Sequence, residues 1–304
     1  MDKVKFVPEY NEAAQRWKEQ TFQSLIKNHH IQEWLKANQL PESFIYEHTG
    51  RFADWVKHVE RCDHCQGLAY CTQPIRGQYA DLYMDQFLNL GIHRCAYYKE
   101  HEQALAHGAY YLDPKVSEAQ LTIDLGKLNT TNESNAYKNT LVRVVDFLAQ
   151  EHPSKGLYFW GKPGAGKSFL AVGIVNHYAK KKIPVAFMNT AQLISDLKMM
   201  FHDHEAMEAR LRNIRNAAVL VLDDIGGESV TAWSRDDILF PLLDARMEQQ
   251  RLTLFTSNYN LNDLKVRYAM NGTRTSEPMA AERLIERIRT LADEEFVKGE
   301  SRRK

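Results

Sequence analysis

The sequence predicts an α/β fold, a parallel sheet flanked by helices, preceded by a small and mostly helical domain. From about residue 136 onward, short apolar runs alternate with helical segments, an order typical of a parallel sheet with helices on both faces. Residues 1–60 carry apolar positions at helical spacing, and all four cysteines fall between Cys62 and Cys95. A chain of 304 residues is long enough for two such domains.

The composition excludes several classes of protein. Hydrophobic residues make up 44% of the chain and aromatic residues 11%, which is enough for packed cores and excludes disorder of the whole chain. Because 39 basic residues balance 39 acidic ones, any contact with nucleic acid has to be local. No apolar stretch reaches the roughly 20 residues of a membrane span, and the charged N-terminus lacks the apolar segment of a signal peptide. We expect a cytoplasmic globular protein without membrane contact.

The domains are expected over residues 1–107 and 136–304, with a linker over 108–135. The clearest loop is the polar run over 129–135. The apolar residues at helical spacing in the first domain either pack into a local core or form a helix face that binds a partner. Within the second domain we predict strands over 156–160, 185–189, 218–223 and 252–258, and helices over 137–150, from Lys167, and over 191–216.

The segment after the first strand carries the strongest motif. Residues 161–168 fit G-x-x-x-x-G-K-[ST], between an apolar strand and a helix-compatible run. Such a loop curls around phosphates with its N–H groups inward, at the positive end of a helix dipole. We expect Lys167 to reach the β- and γ-phosphates of ATP and Ser168 to ligate Mg²⁺. The expected ATP-binding residues are Gly161, Lys162, Pro163, Gly164, Ala165, Gly166, Lys167, Ser168 and Phe169.

A second apolar strand ends in two acids, Asp223 and Asp224, at the edge of the sheet where the phosphate-binding loop lies. Asp223 suits a contact to Mg²⁺, and Asp224 is the candidate to orient or deprotonate an attacking water. Glu228 is a second candidate for that base. Asn258 ends the next apolar strand and is a candidate to hold the attacking water or to sense the γ-phosphate.

Arg283 and Arg287 lie at i and i+4 and therefore share one helical face. Two interpretations stay open. The arginines either form solvated pairs with Glu282 and Glu286, or one of them inserts a fixed positive charge into the ATP site of a neighbouring subunit.

In their order and spacing, these motifs resemble the AAA+ ATPases of the DnaC/DnaI helicase-loader and IstB group. Three segments resemble DnaI-type loaders in particular, and they are Gly156-Leu157-Tyr158, Leu222-Asp223-Asp224-Ile225-Gly226 and Arg283-Leu284-Ile285-Glu286-Arg287. The resemblance covers residues 136–304 and implies an AAA+ P-loop ATPase domain that self-associates. It gives Asn258 the sensor-1 role, Arg287 the arginine-finger role, and makes Arg302 a candidate sensor-2 residue.

The cysteine cluster predicts a zinc site in the first domain. Cys62 and Cys65 have the C-x-x-C spacing with which two thiolates bind one tetrahedral Zn²⁺. Cys71 and Cys95 can complete a four-cysteine site that would stabilise a module of this size. DnaI-type modules are similar but use three cysteines and one histidine, and here the position resembling that histidine is Gln78. A four-cysteine site, a mixed site with His64 or His93, and a module without metal all stay open.

The helical region over 191–216 combines basic side chains with an aromatic one. The resemblance implies that single-stranded DNA is held near here, and a basic groove with a stacking aromatic residue suits that ligand. A solvated helix face explains the same residues. The candidates are Lys198, Met199, Met200, Phe201, Arg210, Arg212 and Arg215.

Residues and resemblance together predict an ATP-dependent loader, which delivers the hexameric replicative DNA helicase onto single-stranded DNA during replication initiation or restart. The alternatives are an IstB-like transposition helper, a small-molecule P-loop kinase, and a nucleotide-gated scaffold with little turnover. The cysteine module argues against the helper. A kinase would not account for Asn258 followed by the arginine pair.

Overall fold

The computed structural model describes residues 12–113, 115–270 and 276–299, and Arg302 lies outside these ranges. The chain divides into two compact units, Met1–Gln103 and Ala104–Lys304. The boundary is close to the end of the domain expected over 1–107. Residues 108–135, expected as a linker, belong to the second unit.

The first unit packs four helices around a core of their apolar stripes. Ile31, Ile45 and Phe52 are fully buried there, and the Trp34 indole N–H donates to the carbonyl of Leu82 at 2.7 Å. The elements are helices α1 (Glu12–Leu25), α2 (His29–Asn38), α3 (Ser43–Glu47) and α4 (Thr49–Val59), strands β1 (Gln78–Met84) and β2 (Leu88–Arg94), and helix α5 (Ala96–Leu105).

The antiparallel hairpin β1–β2 was not predicted from the sequence. Its register pairs Gln78 with Arg94 and Met84 with Leu88. The two strands contribute Leu82 and Leu88 to the helical core, while the rest of the hairpin is half-buried or exposed. Strand β2 carries apolar residues at every second position, Leu88, Leu90 and Ile92, which is the sequence signal for a strand. Strand β1 has no such regular alternation, so the hairpin offered one overlooked strand signal rather than two.

The second unit contains the predicted parallel sheet, confirming the α/β fold. Five strands lie in the order β4-β5-β6-β3-β7, and every pairing is parallel. Successive residues of β5 alternate between two apolar cores, Leu220 and Leu222 on one face and Val219 and Val221 on the other. The strands are β3 (Gly156–Trp160), β4 (Val185–Asn189), β5 (Val219–Asp223), β6 (Leu252–Ser257) and β7 (Ala292–Phe296).

Strand β7 was missed because its sequence, Ala-Asp-Glu-Glu-Phe, is acidic rather than apolar. It occupies the edge of the sheet beside β3, where one side of the strand faces solvent and charged residues are tolerated. The four strands that were predicted agree with the structure to within one residue at each end.

Helices cover both faces of the sheet. The predicted helix over 191–216 is two helices, which separate at residues 200–203. A π-helical turn, Trp233–Leu239, precedes one of the later helices. The helices are α6 (Glu118–Leu121), α7 (Asn135–Ala149), α8 (Lys167–Lys180), α9 (Thr190–Met199), α10 (His204–Asn216), α11 (Phe240–Glu248), α12 (Leu261–Ala269) and α13 (Pro278–Leu291). Within the described ranges, no helix has the length and apolar character of a membrane span.

Residues 104–135 pack against the sheet and α8. The Leu112 N–H donates to the carbonyl of Val185 at 2.8 Å, beside a parallel bridge between Tyr111 and Val185. The buried Asn176 amide of α8 donates to the carbonyl of Ile123 at 2.8 Å and accepts from the Tyr111 hydroxyl. Gly173 permits this approach, because a Cβ there would lie 2.4 Å from Leu125 Cγ.

A fully buried arginine joins α10 to the sheet. Arg246 on α11 is 0% exposed, and its guanidinium donates to the carbonyls of Ile214, Arg215, Ala217 and Leu252 and to the Thr253 hydroxyl. Burial, with a smaller contribution from Arg251, lowers the pKa of Arg246 to about 9. The side chain remains charged at neutral pH, where these acceptors compensate for its lost hydration.

We predict that Arg246→Leu destabilises the protein by roughly 3 kcal/mol, because the buried carbonyls lose their donor. Relief of the buried charge offsets part of that cost. Chemical denaturation monitored by circular dichroism measures the change. The matched control is Arg251→Leu, which removes a more exposed donor to the carbonyl of Asn216 and should cost less than about 1 kcal/mol. Equal effects of the two substitutions would contradict the role given to Arg246.

Candidate nucleotide-binding site

The phosphate-binding loop joins the end of β3 to the start of α8. Gly166 has a φ of +100° and forms the N-cap of α8, a left-handed conformation that favours glycine. Lys167 is 7% exposed, and its Nζ donates to the carbonyls of Gly161 at 2.8 Å and Lys162 at 2.9 Å. The ammonium is therefore held inside the curl of the loop.

Strand β5 brings both acids to the same edge of the sheet, where Thr256 of β6 fixes them. The Thr256 hydroxyl donates to Asp223 Oδ1 at 2.6 Å and accepts from the Asp224 N–H at 2.9 Å. Asp223 is 8% exposed. Asp224 has a φ of +55°, an uncommon conformation for a residue other than glycine. The backbone thus turns immediately after the strand and gives the two neighbouring carboxylates different directions.

Asn258 connects the lysine to the second acid. Its Oδ1 accepts from Lys167 Nζ at 2.9 Å, and its Nδ2 donates to Asp224 Oδ1 at 2.9 Å. Both ends of the amide dipole face a group of opposite charge, which fixes the amide orientation. The structure therefore brings together Lys167, Asp223, Asp224 and Asn258, four of the residues singled out in the sequence.

These residues line a cavity of about 700 Å³, a size typical of ligand sites. The polar part of its lining includes the phosphate-binding loop, the two acids and Asn258. The lining also includes Leu128, Tyr137, Leu141 and Phe169, which offer apolar surfaces that suit a planar base. Of these only Phe169 was anticipated, since the others lie in or just after the segment expected to be a linker.

Oxygen ligands for a divalent cation are present in the lining of the cavity. Ser168 and Asp223 both line the cavity, and hydroxyl and carboxylate oxygens are what Mg²⁺ prefers. Side chains that line the cavity but were not recognised in the sequence include Thr256 and Asn189. The hydrogen bonds of Thr256 to both acids depend on the pairing of β5 with β6, which motif spacing does not reveal.

Glu228, the second candidate for a general base, does not line the cavity. It is 2% exposed. Its carboxylate accepts from the Gly226 N–H at 2.8 Å and from the Tyr268 hydroxyl. Burial raises the pKa of Glu228, although the hydrogen bond from Tyr268 opposes the shift. Its contacts are those of a buried structural carboxylate.

Arg283 and Arg287 of α13 lie outside this cavity. Arg287 Nε donates to Asp244 Oδ1 of α11 at 2.7 Å. Glu282 and Glu286, the partners in the first of the two interpretations, instead bind Arg289, at 3.2 and 2.7 Å. In the described structure, the solvated pairs of the first interpretation are thus replaced by an ion pair between helices.

The four cysteines of the first unit line one small cavity of about 170 Å³, together with Gln73 and Gln78. Neither His64 nor His93 lines it. Three sulfurs accept N–H groups, Cys62 from the Gln73 amide at 3.1 Å, Cys71 from the Gly77 backbone at 3.3 Å and Cys95 from the Tyr98 backbone at 3.4 Å. Such donors stabilise thiolates, so the residue set and its surroundings fit Zn²⁺.

The cysteine sulfurs are not as close together as the ligands of one ion. Among the described residues, the single set of three or more candidate ligand atoms within 4.8 Å of one another belongs to His29, His30 and Asp63. In that set His30 Nε2 lies 3.1 Å from a carboxylate oxygen of Asp63, as in an ordinary ion pair. Zinc at the cysteines would require the sulfurs to move toward one another.

The DNA candidates divide into two groups. Arg210 forms ion pairs with Asp113 at 3.0 Å and Asp196 at 2.8 Å, so it anchors α10 rather than offering a charge to a ligand. Lys198 and Phe201 instead lie beside Trp233, with Lys198 Nζ 6.0 Å from the indole centroid and the Phe201 ring 4.9 Å from it. Met199 and Arg212 are exposed, while Met200 and Arg215 are half-buried.

Comparisons with known proteins agree with this geometry. A family model described as IstB-like ATP binding protein matches residues 127–304. The chain is 26% identical over 291 residues to the replicative helicase loader DnaI of Bacillus subtilis (strain 168), covering 94% of this chain and 93% of that protein. A crystal structure of DnaI is 29% identical, with a TM-score of 0.52, over 65% of this chain and 99% of that chain.

A further relative matches over a shorter length. The replicative helicase loader DnaC of Buchnera aphidicola subsp. Baizongia pistaciae is 29% identical over 133 residues, which cover 43% of this chain. The chain spans about half, 49%, of that protein.

We predict that Thr256→Val weakens Mg²⁺ binding in the presence of ATP, raising the half-saturating Mg²⁺ concentration on the order of 10-fold. Valine has a similar shape but cannot orient Asp223 or accept from the Asp224 N–H. Titration of Mg²⁺ at fixed ATP, followed with a fluorescent ATP analogue, measures the shift. Ser257→Ala is the control, because the Ser257 hydroxyl donates to the Ile225 carbonyl instead. An unchanged Mg²⁺ curve for Thr256→Val would contradict the assignment.

Proposed function

The chain belongs to the family of IstB-like ATP binding proteins, and on this premise we propose that its second unit binds and hydrolyses ATP. The observation that carries the proposal is the connection of Lys167 to Asp224 through the Asn258 amide. It places a phosphate-binding cation and a candidate general base on opposite sides of one polar amide. Phosphoryl transfer to water needs this combination of charge and positioning.

Each residue has a separate role in this proposal. The backbone N–H groups of residues 161–168 and the N-terminus of α8 bind the phosphates, and Lys167 exchanges its carbonyl partners for phosphate oxygens. Ser168 and Asp223 hold Mg²⁺, which neutralises charge on the phosphates. Asp224 accepts a proton from the attacking water, which Asn258 helps to position.

Two substitutions test the proposed chemistry. Lys167→Ala should abolish detectable ATP binding, because the phosphates lose the buried cation. Asp224→Asn should retain binding but slow hydrolysis by roughly 100-fold or more, because the amide cannot accept the proton. Equilibrium ATP binding and phosphate release are the measurements. Lys181→Ala is the control, since that exposed lysine lies just after the far end of α8 and does not line the cavity. Equal ATP affinity of Lys167→Ala and the unsubstituted protein would remove the assignment.

We further propose that the protein is an ATP-dependent loader, which delivers a hexameric replicative DNA helicase onto single-stranded DNA. This rests on the match to the Bacillus subtilis loader, which extends over 94% of the chain and 93% of the relative and therefore includes both units. The helper and scaffold alternatives remain distinguishable by experiment. A transposition helper would bind transposase rather than helicase, and a scaffold would bind ATP without measurable turnover.

In this proposal the first unit, within residues 1–107, contacts the helicase and carries structural zinc. A Cys₄ site of Cys62, Cys65, Cys71 and Cys95 is favoured over a mixed site, because all four cysteines line one cavity and His64 and His93 do not. Bound zinc would fix the hairpin and the end of α4 relative to each other, and so define the surface that the helical core presents.

Zinc and helicase binding should be lost together in the variant Cys62→Ser/Cys65→Ser, while ATP binding persists. The measurements are metal analysis of the purified full chain, a binding assay with the hexameric helicase of the source organism, and ATP binding. His64→Ala should retain about one zinc per chain. Full helicase affinity in a zinc-free variant would refute the coupling, and a zinc-loaded chain that binds no helicase would refute the docking role.

The second unit is proposed to hold single-stranded DNA and to self-associate. Lys198, Phe201 and Trp233 combine a cation with two exposed or half-buried rings, which suits backbone charge and base stacking. Arg287 would serve the ATP site of a neighbouring copy. Its position outside the cavity of its own chain supports a role in trans.

A further inference from the structure

We propose that Asp244 and Phe240 of α11 are positioning residues, which hold Arg287 in the orientation required to contact the ATP phosphates of a second copy. The inference rests on the proposed function, because it presupposes that Arg287 acts in trans. It concerns two residues that carry no recognised motif and lie on a different helix from the arginine.

Two contacts fix the position of the Arg287 guanidinium. Arg287 Nε donates to Asp244 Oδ1 at 2.7 Å, and Arg287 Cζ lies 5.1 Å from the centroid of the Phe240 ring. Within the described part of the chain, Asp244 is the one hydrogen-bond partner of this guanidinium. The carboxylate therefore occupies the Nε side and leaves the two terminal NH₂ groups, which form the fork that binds phosphate oxygens.

The exposure of the pair agrees with this orientation. The side chain of Arg287 is 29% exposed and that of Asp244 is 32% exposed. Exposed ion pairs contribute little to stability, so a gain in stability alone does not account for this pair. The half-exposed arrangement instead orders a long side chain before a partner arrives, which reduces the entropy lost on binding.

A second arginine shares the aromatic ring. Arg283 Cζ lies 4.5 Å from the Phe240 centroid, so two guanidinium groups one helical turn apart contact one side chain. Like charges at i and i+4 destabilise a helix, and Asp244 neutralises only one of them. The cluster keeps an excess positive charge at an exposed surface, where an anion supplied by another molecule would relieve the repulsion.

A competing interpretation makes Asp244 a latch that withholds Arg287 until assembly. The two ideas predict opposite effects. If Asp244 orients the arginine, its removal lowers turnover in the assembled protein. If Asp244 withholds the arginine, its removal raises turnover or allows activity at lower protein concentration. The cation contact with Phe240 favours orientation, since a latch needs no aromatic ring behind the guanidinium.

The test compares ATP turnover of full-length variants across protein concentrations at which self-association is followed by sedimentation. Asp244→Ala should lower kcat on the order of 10-fold with KM nearly unchanged, because the ATP is bound by the other copy. Asp244→Asn should retain more activity than Asp244→Ala, since its amide oxygen still accepts from Nε. Glu286→Ala is the matched control, because it removes the exposed partner of Arg289 on the same helix and should behave like the unsubstituted protein.

Mixing subunits separates positioning from simple misfolding. Asp244→Ala has an intact ATP site, and Asp224→Asn has an intact arginine and its partners. A mixture of the two variants should therefore show a higher ATP turnover than either variant alone. A thermal unfolding curve verifies that Asp244→Ala is folded.

The turnover of Asp244→Ala and of the mixture decides whether Asp244 positions Arg287. Unchanged or increased kcat for Asp244→Ala overturns the positioning role, as does a mixture that assembles without recovering activity. Arg287→Ala is measured in the same series to keep the two proposals apart. If Arg287→Ala is defective and Asp244→Ala is not, the positioning role alone fails. If Arg287→Ala has full kcat, the role of Arg287 in trans fails as well.

Discussion

The pairing of β6 between β5 and β3 is the constraint on which the nucleotide site depends. The phosphate-binding loop follows β3 and the acids follow β5, and these two strands are not neighbours in the sheet. Adjacent strands lie about 4.8 Å apart, so a gap of one strand separates the loop from the acids. Thr256 and Asn258, at the end of β6, fill that gap with hydrogen bonds to both sides. The width of one strand therefore sets the distance between the phosphate-binding loop and the two acids.

The sequence predicted the parts of this site that are contiguous in the chain, and the structure was needed for the rest. A phosphate-binding loop is a local motif whose function follows from its own backbone, so residues 161–168 could be read directly. Strand order depends on pairing between distant segments, and it decides that Thr256 binds both acids. The apolar part of the cavity lining was missed for a related reason. Leu128 lies in a polar stretch that resembled a linker, and it comes to line the same cavity as Phe169 only on folding.

The roles of individual basic residues were also beyond what the sequence alone could predict. In the sequence, Arg210 and Lys198 are similar basic residues on a polar helical region. In the structure Arg210 is bound by Asp113 and Asp196, whereas Lys198 lies near an aromatic ring at an exposed surface. A buried charge needs a partner and an exposed charge does not. The difference between Arg210 and Lys198 is therefore one of burial rather than of charge. Burial of a helical residue is set by what packs on it, and here that includes residues near position 113.

The two edges of the five-stranded sheet are protected in different ways. At one edge, Tyr111 and Leu112 pair with Val185 of β4 and so cover the start of that strand. At the other edge, β7 carries Asp293, Glu294 and Glu295. Exposed strand edges invite further strands to add, and negative charge opposes that addition by repelling an identical strand. The acidic composition that concealed β7 in the sequence therefore also guards against uncontrolled edge-to-edge aggregation.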